Sequence, residues 1–473
     1  MTWPPKTDLA LPEVATGTPS ANELTQEVIV MNQIKFRALF LLCLIILGTS
    51  TGFAQEKTEI TLMRFLGNCD AEYKNVIDIK KANGVCGAIT VLTNAFNATN
   101  KQNIVVNTKI VEWIAYYSSL KAQIATKAPP AIAIMHGSAM GDFIAYNLLE
   151  PMHDDLKAIG INNSDYSDYG KLVTKFNGKI YGLPIDIHSW IWHVNTKALI
   201  KAGLTNPDGT ARIPKSAEEL LAQARHYKKA TGKPYFSWSP NNEVGNFRYL
   251  MTLVAQQKGS LFPGDASKLD MHSPEVRKAL ELMKALSDEG LMGANQEYEE
   301  AHAQFLRGET AVRVWGTWSL EDFLAESAKK DVPLSNAYLA IPFPKLYATN
   351  AAWADSHVWV MPKGGTKDEK SRKAAMAYLK YLRDHNYDWG RSGLLPDSLA
   401  PGQLEELHKL PMRDKLVEVT RNAVSLPSKL MGQHSIQSVI GDELVSLLSN
   451  KKSIEAVQRD AESRVNRMLA KPR

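Results

Sequence analysis

Residues 104–135, IVVNTKIVEWIAYYSSLKAQIATKAPPAIAIM, decide the fold class. Ile104 to Val111 is rich in β-branched side chains and reads as a strand. Tyr117 to Thr126 reads as a helix, because Tyr117, Leu120 and Ile124 fall on one face at helical spacing. Pro129 and Pro130 end that helix, since proline has no backbone N–H to continue it. Ala131 to Met135 is then a short, unbroken apolar run, as expected of a strand buried on both faces. A helix between two such strands is the crossover that parallel pairing requires.

The alternation continues in both directions. Upstream, Ile60 to Phe65 reads as a strand and Val85 to Asn97 as a helix; downstream, a helix is expected near Gly141 to Asn147. A second set begins at Trp190, with a strand through Val194 and helices over Thr196 to Ala202 and Glu218 to Lys229. The helix expected over Pro274 to Glu289 aligns Val276, Leu280, Met283 and Leu286 as a core stripe. Thr310 to Val314 and His357 to Met361 read as further strands, and Ser371 to Asp384 and Ser435 to Met468 as C-terminal helices. Strands and helices in this order define an α/β protein built on parallel sheets.

At 473 residues the chain is too long for a single hydrophobic core, so two domains are expected. No Pro/Ser-rich linker separates them, which points to lobes interleaved by several crossings. With 44% hydrophobic and 22% charged residues the composition is that of a globular protein rather than a disordered or polytopic membrane chain. The net charge of +5 comes from scattered Lys and Arg, not from a basic stripe, so no nucleic-acid partner is expected.

Ala38 to Gly48 is strongly apolar but too short to span a bilayer as a helix. Lys35 and Arg37 precede it and small residues at Gly52 and Ala54 suit cleavage before Gln55, so residues 31–54 read as a secretory signal. Residues 1–30 then read as an extension upstream of the true start at Met31. Cys43 lies inside the apolar run behind bulky Phe40, Leu41 and Leu42, which argues against lipid attachment. The remaining pair, Cys69 and Cys86, is expected to form a disulfide in an oxidising compartment, contributing about 3 kcal/mol by restricting the unfolded chain. Two thiols without nearby paired histidines do not complete a tetrahedral site, so neither a metal nor a cofactor is expected.

In open α/β sheets ligands bind beyond the carboxyl ends of the strands. There the sequence places Arg64 with Phe65, Glu112 with Trp113, His136, and the run Trp315, Gly316, Thr317, Trp318. Asp186, His188 and Trp190 cluster at one expected lobe crossing, and Trp353, Asp355 and His357 at another. Indole rings beside carboxylate, imidazole and guanidinium groups suit a sugar, whose C–H faces pack on rings and whose hydroxyls need donors and acceptors. Trp113 and Trp318 are expected to face the ligand, and Trp192, Trp359 and Trp389 the core. Trp190, Trp238, Trp315 and Trp353 suit either place. His188 also reads as a satisfied core imidazole, Asp186 as a cap or hinge acceptor, and Glu112 as a solvated strand end. After His136, a helix N-terminus at Gly137 and Ser138 is a candidate source of amide donors.

Enzyme signatures are weak. The segment HGSAMG at 136–141 lacks the glycine two residues before Ser138 that a nucleophile elbow requires. The carboxylate pairs Asp154–Asp155 and Glu299–Glu300 fall in loops or helix starts, and nothing in the sequence places them opposite each other for acid–base work.

An ordered set of motifs carries a resemblance: NGKIYGLP at 177–184, WHVNT at 192–196, KAGL at 201–204, IPKSAEEL at 213–220, FLRGETA at 305–311, GTW at 316–318, VWVMPKG at 358–364 and GLLP at 393–396. In order and spacing the chain resembles the family 1 extracellular solute-binding proteins of ABC importers, the maltose-binding-protein-like group. The resemblance implies a periplasmic binding protein type II fold, two α/β lobes joined by hinge crossings near 186–190, 353–357 and 395–398. On this reading lobe 1 comprises residues 55–187 and 358–395, and lobe 2 residues 188–357 and 396–473. It further implies a periplasmic, monomeric protein that takes a carbohydrate or polyol between its lobes and delivers it to permease subunits. Trp318 matches the ligand-stacking Trp of the Gly-x-Trp motif, and Trp113 falls where contacts from the first lobe arise. The Cys69–Cys86 segment and His193, in place of the usual Tyr, depart from the pattern and leave the ligand unassigned. A secreted glycoside hydrolase and a sensor docking a membrane receptor are the alternatives.

Overall fold

The computed structural model describes residues 56–470, apart from 294–296, 398, 400, 401 and 429 and the side chain of Tyr298. The expected extension at 1–30, the expected secretory signal at 31–54 and Cys43 lie outside the described residues.

Strands follow one another as β1 (Thr58–Arg64), β2 (Ile104–Ile110), β3 (Ile132–His136), β4 (Leu183–Pro184), β5 (Asp186–Asn195), β6 (Phe236–Ser237), β7 (Val312–Gly316), β8 (Tyr338–Pro342), β9 (Ala352–Asp355), β10 (His357–Val360), β11 (Leu395–Pro396) and β12 (Ala423–Val424). These form two sheets, and Lys175–Phe176 pairs with Lys179–Ile180 in a separate two-stranded ribbon. The first has the order β2-β1-β3-β10-β4, and the second β12-β9-β5-β7-β6 with β8 and β11 also paired to β5.

The first sheet begins as the sequence predicts, with β1 parallel to both β2 and β3. Its last strands depart from the prediction, because β10 runs antiparallel to β3 and to β4. That strand re-enters the sheet from the other lobe, and so meets β3 from the opposite end. The second sheet departs further: β7, β8, β9 and β11 all pair antiparallel with β5. Its spine is β5, DIHSWIWHVN, all ten residues of which are buried. Such a strand shows no polar alternation, which is why only its second half reads as a strand in the sequence.

Helices cover both sheets, and local chemistry sets their ends. The helix Ala217–Thr231 starts where Ser216 accepts the Glu219 amide at 3.1 Å, and stops at Gly232, whose φ of 72° is the left-handed conformation glycine tolerates. Pro274 stands in the first turn of Pro274–Asp288 behind the Ser273 cap, where a missing N–H costs no intrahelical bond. The predicted C-terminal helix is two, Gln433–Leu448 and Ile454–Leu469, divided at a turn where Asn450 has φ 56° and Ser453 caps the second.

Each sheet has its own core. Ile60, Leu62, Ile134, Val358 and Trp359 belong to the first, and Trp192, Phe236, Leu250, Val314 and Trp353 to the second. Trp192, Trp359 and Trp389 are buried, as expected. Trp318, half-buried, packs against both cores.

The chain passes between the sheets through Ile185, between β4 and β5, and through Ser356, between β9 and β10. Asp186, Ile187 and Leu395 already lie on second-sheet strands and His357 on a first-sheet strand, one or two residues from the predicted boundaries. The segments are tied side by side there: the Ile185 amide donates to His357 O at 2.9 Å, and the Asp397 amide to Ile185 O at 2.9 Å.

Candidate ligand-binding site

Three imidazoles converge where the two sheets meet. His136 ends β3 and His357 opens β10, and antiparallel register sets them opposite each other. His188, the third residue of β5, stands opposite Asp355 of β9. Ring centroids are 4.9 Å apart for His136 and His357, 4.2 Å for the stacked pair His188 and His357, and 5.5 Å for His136 and His188.

Asp186 organises two of these rings from beneath. Its Oδ1 accepts from His188 Nδ1 at 3.1 Å and its Oδ2 from His357 Nδ1 at 2.9 Å. The backbone N–H of His357 and the indole N–H of Trp389 add donors at 3.2 and 2.8 Å. Burial acts to raise the Asp186 pKa, but His357 and His188 together outweigh it and hold the carboxyl well below its ordinary range. An ionised carboxylate only accepts, so both rings carry their proton on Nδ1. Burial pulls the His188 pKa down, helped by His357, and pulls that of His136 down further, helped by His357, His188 and Arg248. These two rings are therefore neutral near pH 7. The Tyr117 hydroxyl faces His136 Nδ1 at 2.9 Å and accepts the His136 backbone N–H at 2.9 Å.

Aromatic rings flank the imidazoles from both lobes. On the first-sheet side Phe65 stacks on His136 at 5.0 Å, and Trp113 lies 4.5 Å from His136. On the other side Trp318 and Trp353 lie 5.8 and 5.9 Å from His188. The Arg248 guanidinium sits 3.9 Å over Trp353 and 5.9 Å from Trp318. Loss of water lowers the Arg248 pKa to about 10, against the opposing pull of Asp355, so it stays charged near pH 7. Asp355 accepts from Ser138 N at 3.1 Å, Ser138 Oγ at 2.5 Å and Ser356 N at 2.8 Å. The helix N-terminus expected to offer amide donors thus directs the Ser138 N–H to Asp355.

Other sequence candidates lie elsewhere. Arg64 points into the disulfide loop, bonding Phe65 O at 3.1 Å, Gly67 O at 2.7 Å, Asp70 at 3.1 Å and Thr90 at 3.0 Å. It braces the segment joined by Cys69–Cys86, whose Cα atoms are 6.1 Å apart. Glu112 is exposed and precedes the helix Trp113–Ala125, so Trp113 opens a helix rather than ending a strand. Trp190 and Trp238 are buried in the second core, 5.6 Å apart, and both pack on Tyr249. Trp315 is half-buried 5.8 Å from Trp318, one ring further from the imidazoles. Sequence reasoning missed Arg248, Tyr117 as a partner of His136, and Trp389 as a donor to Asp186. For Arg248 a signal existed: a lone cation within FRYLMTLVA at 247–255.

Fold and site together define a two-lobed α/β binding protein. A family model described as "Bacterial extracellular solute-binding protein" matches residues 92–387. Among curated proteins, a putative binding protein of Brucella abortus (strain 2308) is 22% identical over 392 residues, covering 80% of this chain and 88% of its own. The sn-glycerol-3-phosphate-binding periplasmic protein UgpB of Pectobacterium atrosepticum is 23% identical over 361 residues, covering 72% and 78%. Among solved structures, maltose-bound MalE3 of T. maritima superposes with a TM-score of 0.72 at 17% identity, covering 87% of this chain and 100% of that one. The chain belongs to the bacterial extracellular solute-binding protein family.

Proposed function

We propose that the chain is the periplasmic cargo-binding component of an ABC importer, a monomer that takes a carbohydrate or related polyol between its lobes and presents it to permease subunits. One observation carries this reading: Trp113 and Trp318, both half-buried, flank the same group of buried polar side chains from opposite lobes. Rings placed so offer apolar faces to sugar C–H groups, while His136, His188 and Arg248 stand near them to meet hydroxyls. The ligands named for two relatives, sn-glycerol 3-phosphate and maltose, are polyol-like and fit that chemistry. On this reading the two lobes divide at Ile185, at Ser356 and just before Leu395, and they hinge where Ile185, His357 and Asp397 are bonded together.

A binding role also fits the carboxylates better than hydrolysis does. Asp155 is engaged by Arg372 at 2.5 Å and Glu300 by Arg307 at 2.7 Å, so neither flagged pair is poised for acid–base work. Intrinsic Trp fluorescence titrated with a panel of mono- and oligosaccharides, polyols and glycerol phosphates tests the cargo class. A saturable change with one group is expected. Silence across the panel rejects carbohydrate and polyol cargo.

A further inference from the structure

We propose that His136, His188 and His357 bind one divalent transition-metal ion through their Nε2 atoms. One ring nitrogen from each lies within 4.8 Å of those of the other two, and all three residues are buried. A tetrahedral ion with metal–nitrogen bonds of about 2.0–2.1 Å holds its ligands about 3.3 Å apart, within reach of small ring rotations. Such sites commonly fix each ligating imidazole through a hydrogen bond on its far nitrogen, which sets the tautomer and turns the lone pair inward.

Each of the three rings has that support here. His188 and His357 direct Nδ1 to Asp186, which leaves Nε2 of each as the ring nitrogen available to a metal. His136 Nδ1 faces the Tyr117 hydroxyl, whose oxygen has two lone pairs and can take both this N–H and the backbone N–H it already accepts. No sulfur or carboxylate joins the three among the described residues, and imidazole ligation suits Zn²⁺, Ni²⁺ or Cu²⁺.

The surrounding charge tolerates a cation. Asp186 touches two of the rings, and Asp355, paired in register with His188, sits across from Arg248. Two carboxylates thus stand beside the rings against one guanidinium, which leaves room for an added positive charge. Three protein ligands leave a coordination position open, as metal sites that engage a further molecule do. With the ion bound, a hydroxyl or anionic oxygen of the cargo would take that position instead of bonding the imidazoles directly. Only this last placement rests on the proposed cargo site lying at these residues.

The untagged chain, stripped with EDTA and dialysed against Zn²⁺, Ni²⁺ or Cu²⁺, is expected to retain one ion. His188→Ala or His357→Ala should lower affinity at least a hundredfold, and Tyr117→Phe about tenfold. X-ray absorption of the unaltered Zn²⁺-loaded chain should count three imidazoles at about 2.0–2.1 Å, a reading that does not depend on any variant folding. Retention of no ion, or a bound ion with fewer imidazoles and no response to the histidine variants, overturns the site. Sugar titrations of the stripped and loaded chain separate the two readings. Sugar binding with no metal retained removes the metal alone; metal retained with silence toward sugars upholds the site and removes the carbohydrate cargo.

Discussion

Asp186 and His357 lie on strands of different sheets, and the carboxylate Oδ2 of one is 2.9 Å from the ring Nδ1 of the other. The same carboxylate takes His188 Nδ1, Trp389 Nε1 and the His357 amide, so a single acceptor organises groups from β5, β10 and the short helix Asn386–Gly390. Asp186→Asn replaces one acceptor oxygen with an NH2 group, and at least one of these buried donors must lose its partner. A loss of about 1–3 kcal/mol in unfolding free energy is expected. Urea unfolding followed by far-UV circular dichroism measures it, and an unchanged midpoint and slope would show that the donors find other acceptors.

Trp318 packs against both cores, and its placement depends on Gly316. A Cβ at position 316 would fall 2.1 Å from the Trp318 ring, a contact no real side chain sustains. Gly316→Ala must therefore displace the indole. Both Gly316→Ala and Trp318→Ala are expected to weaken cargo binding, the latter by about 1.5 kcal/mol or tenfold. Trp192→Ala, deep in the second core, should instead cost about 3–5 kcal/mol of stability and leave affinity unchanged in the folded fraction. Paired fluorescence titrations and denaturation curves distinguish the two patterns. If Trp318→Ala and Trp192→Ala behave alike, Trp318 is a core residue.

The parallel half of the first sheet was legible because β1, β2 and β3 alternate with helices over short distances, and local pattern is what a sequence displays directly. Strand direction in the second sheet was not. Its spine is buried throughout, and its partners β7, β8, β9 and β11 come from positions far along the chain. The site shows the same division. Strand-end logic singled out His136, His188, His357, Asp186 and Trp318, which the structure brings together: His136, His357 and Asp186 end or open a strand, His188 lies two residues into one, and Trp318 just beyond one. It could not foresee that three imidazoles separated by long stretches of chain would converge. Arg64 misled because its neighbour Phe65 does enter the site, while alternation along an extended chain turns the guanidinium the other way, into the disulfide loop.

The Cys69–Cys86 disulfide closes a sequence separation of 17, and Arg64 ties the same segment to β1 and to Thr90. Closing a loop of this length removes about 3 kcal/mol of unfolded-chain freedom. Reduction, or Cys69→Ser with Cys86→Ser, is expected to lower the melting temperature by several degrees, while the Arg64 bonds keep the segment near its place. Cargo affinity should change less than twofold. Calorimetry alongside fluorescence titration tests this, and an affinity loss larger than the stability loss would move the segment into the binding site.

Asp397 follows β11, and it is held by the backbone N–H of Ser167 at 3.2 Å and by the Ser167 hydroxyl. Burial raises its pKa from 3.8 to about 6, and the hydrogen bonds from Ser167 only partly oppose that. The sign of the effect on stability follows from which state holds the proton. Below about pH 4 both the folded and unfolded carboxyls are protonated and nothing is lost. Between about pH 4 and 6 the unfolded chain releases its proton while the folded chain still binds one, so stability falls as pH rises through that window, by at most about 3 kcal/mol. Above about pH 6 both are ionised and the loss is constant. Asp397→Asn cannot ionise, so its melting temperature should match the parent near pH 4 and exceed it at pH 7. A gap between the two that does not vary from pH 4 to 7 would mean that Asp397 ionises as easily folded as unfolded.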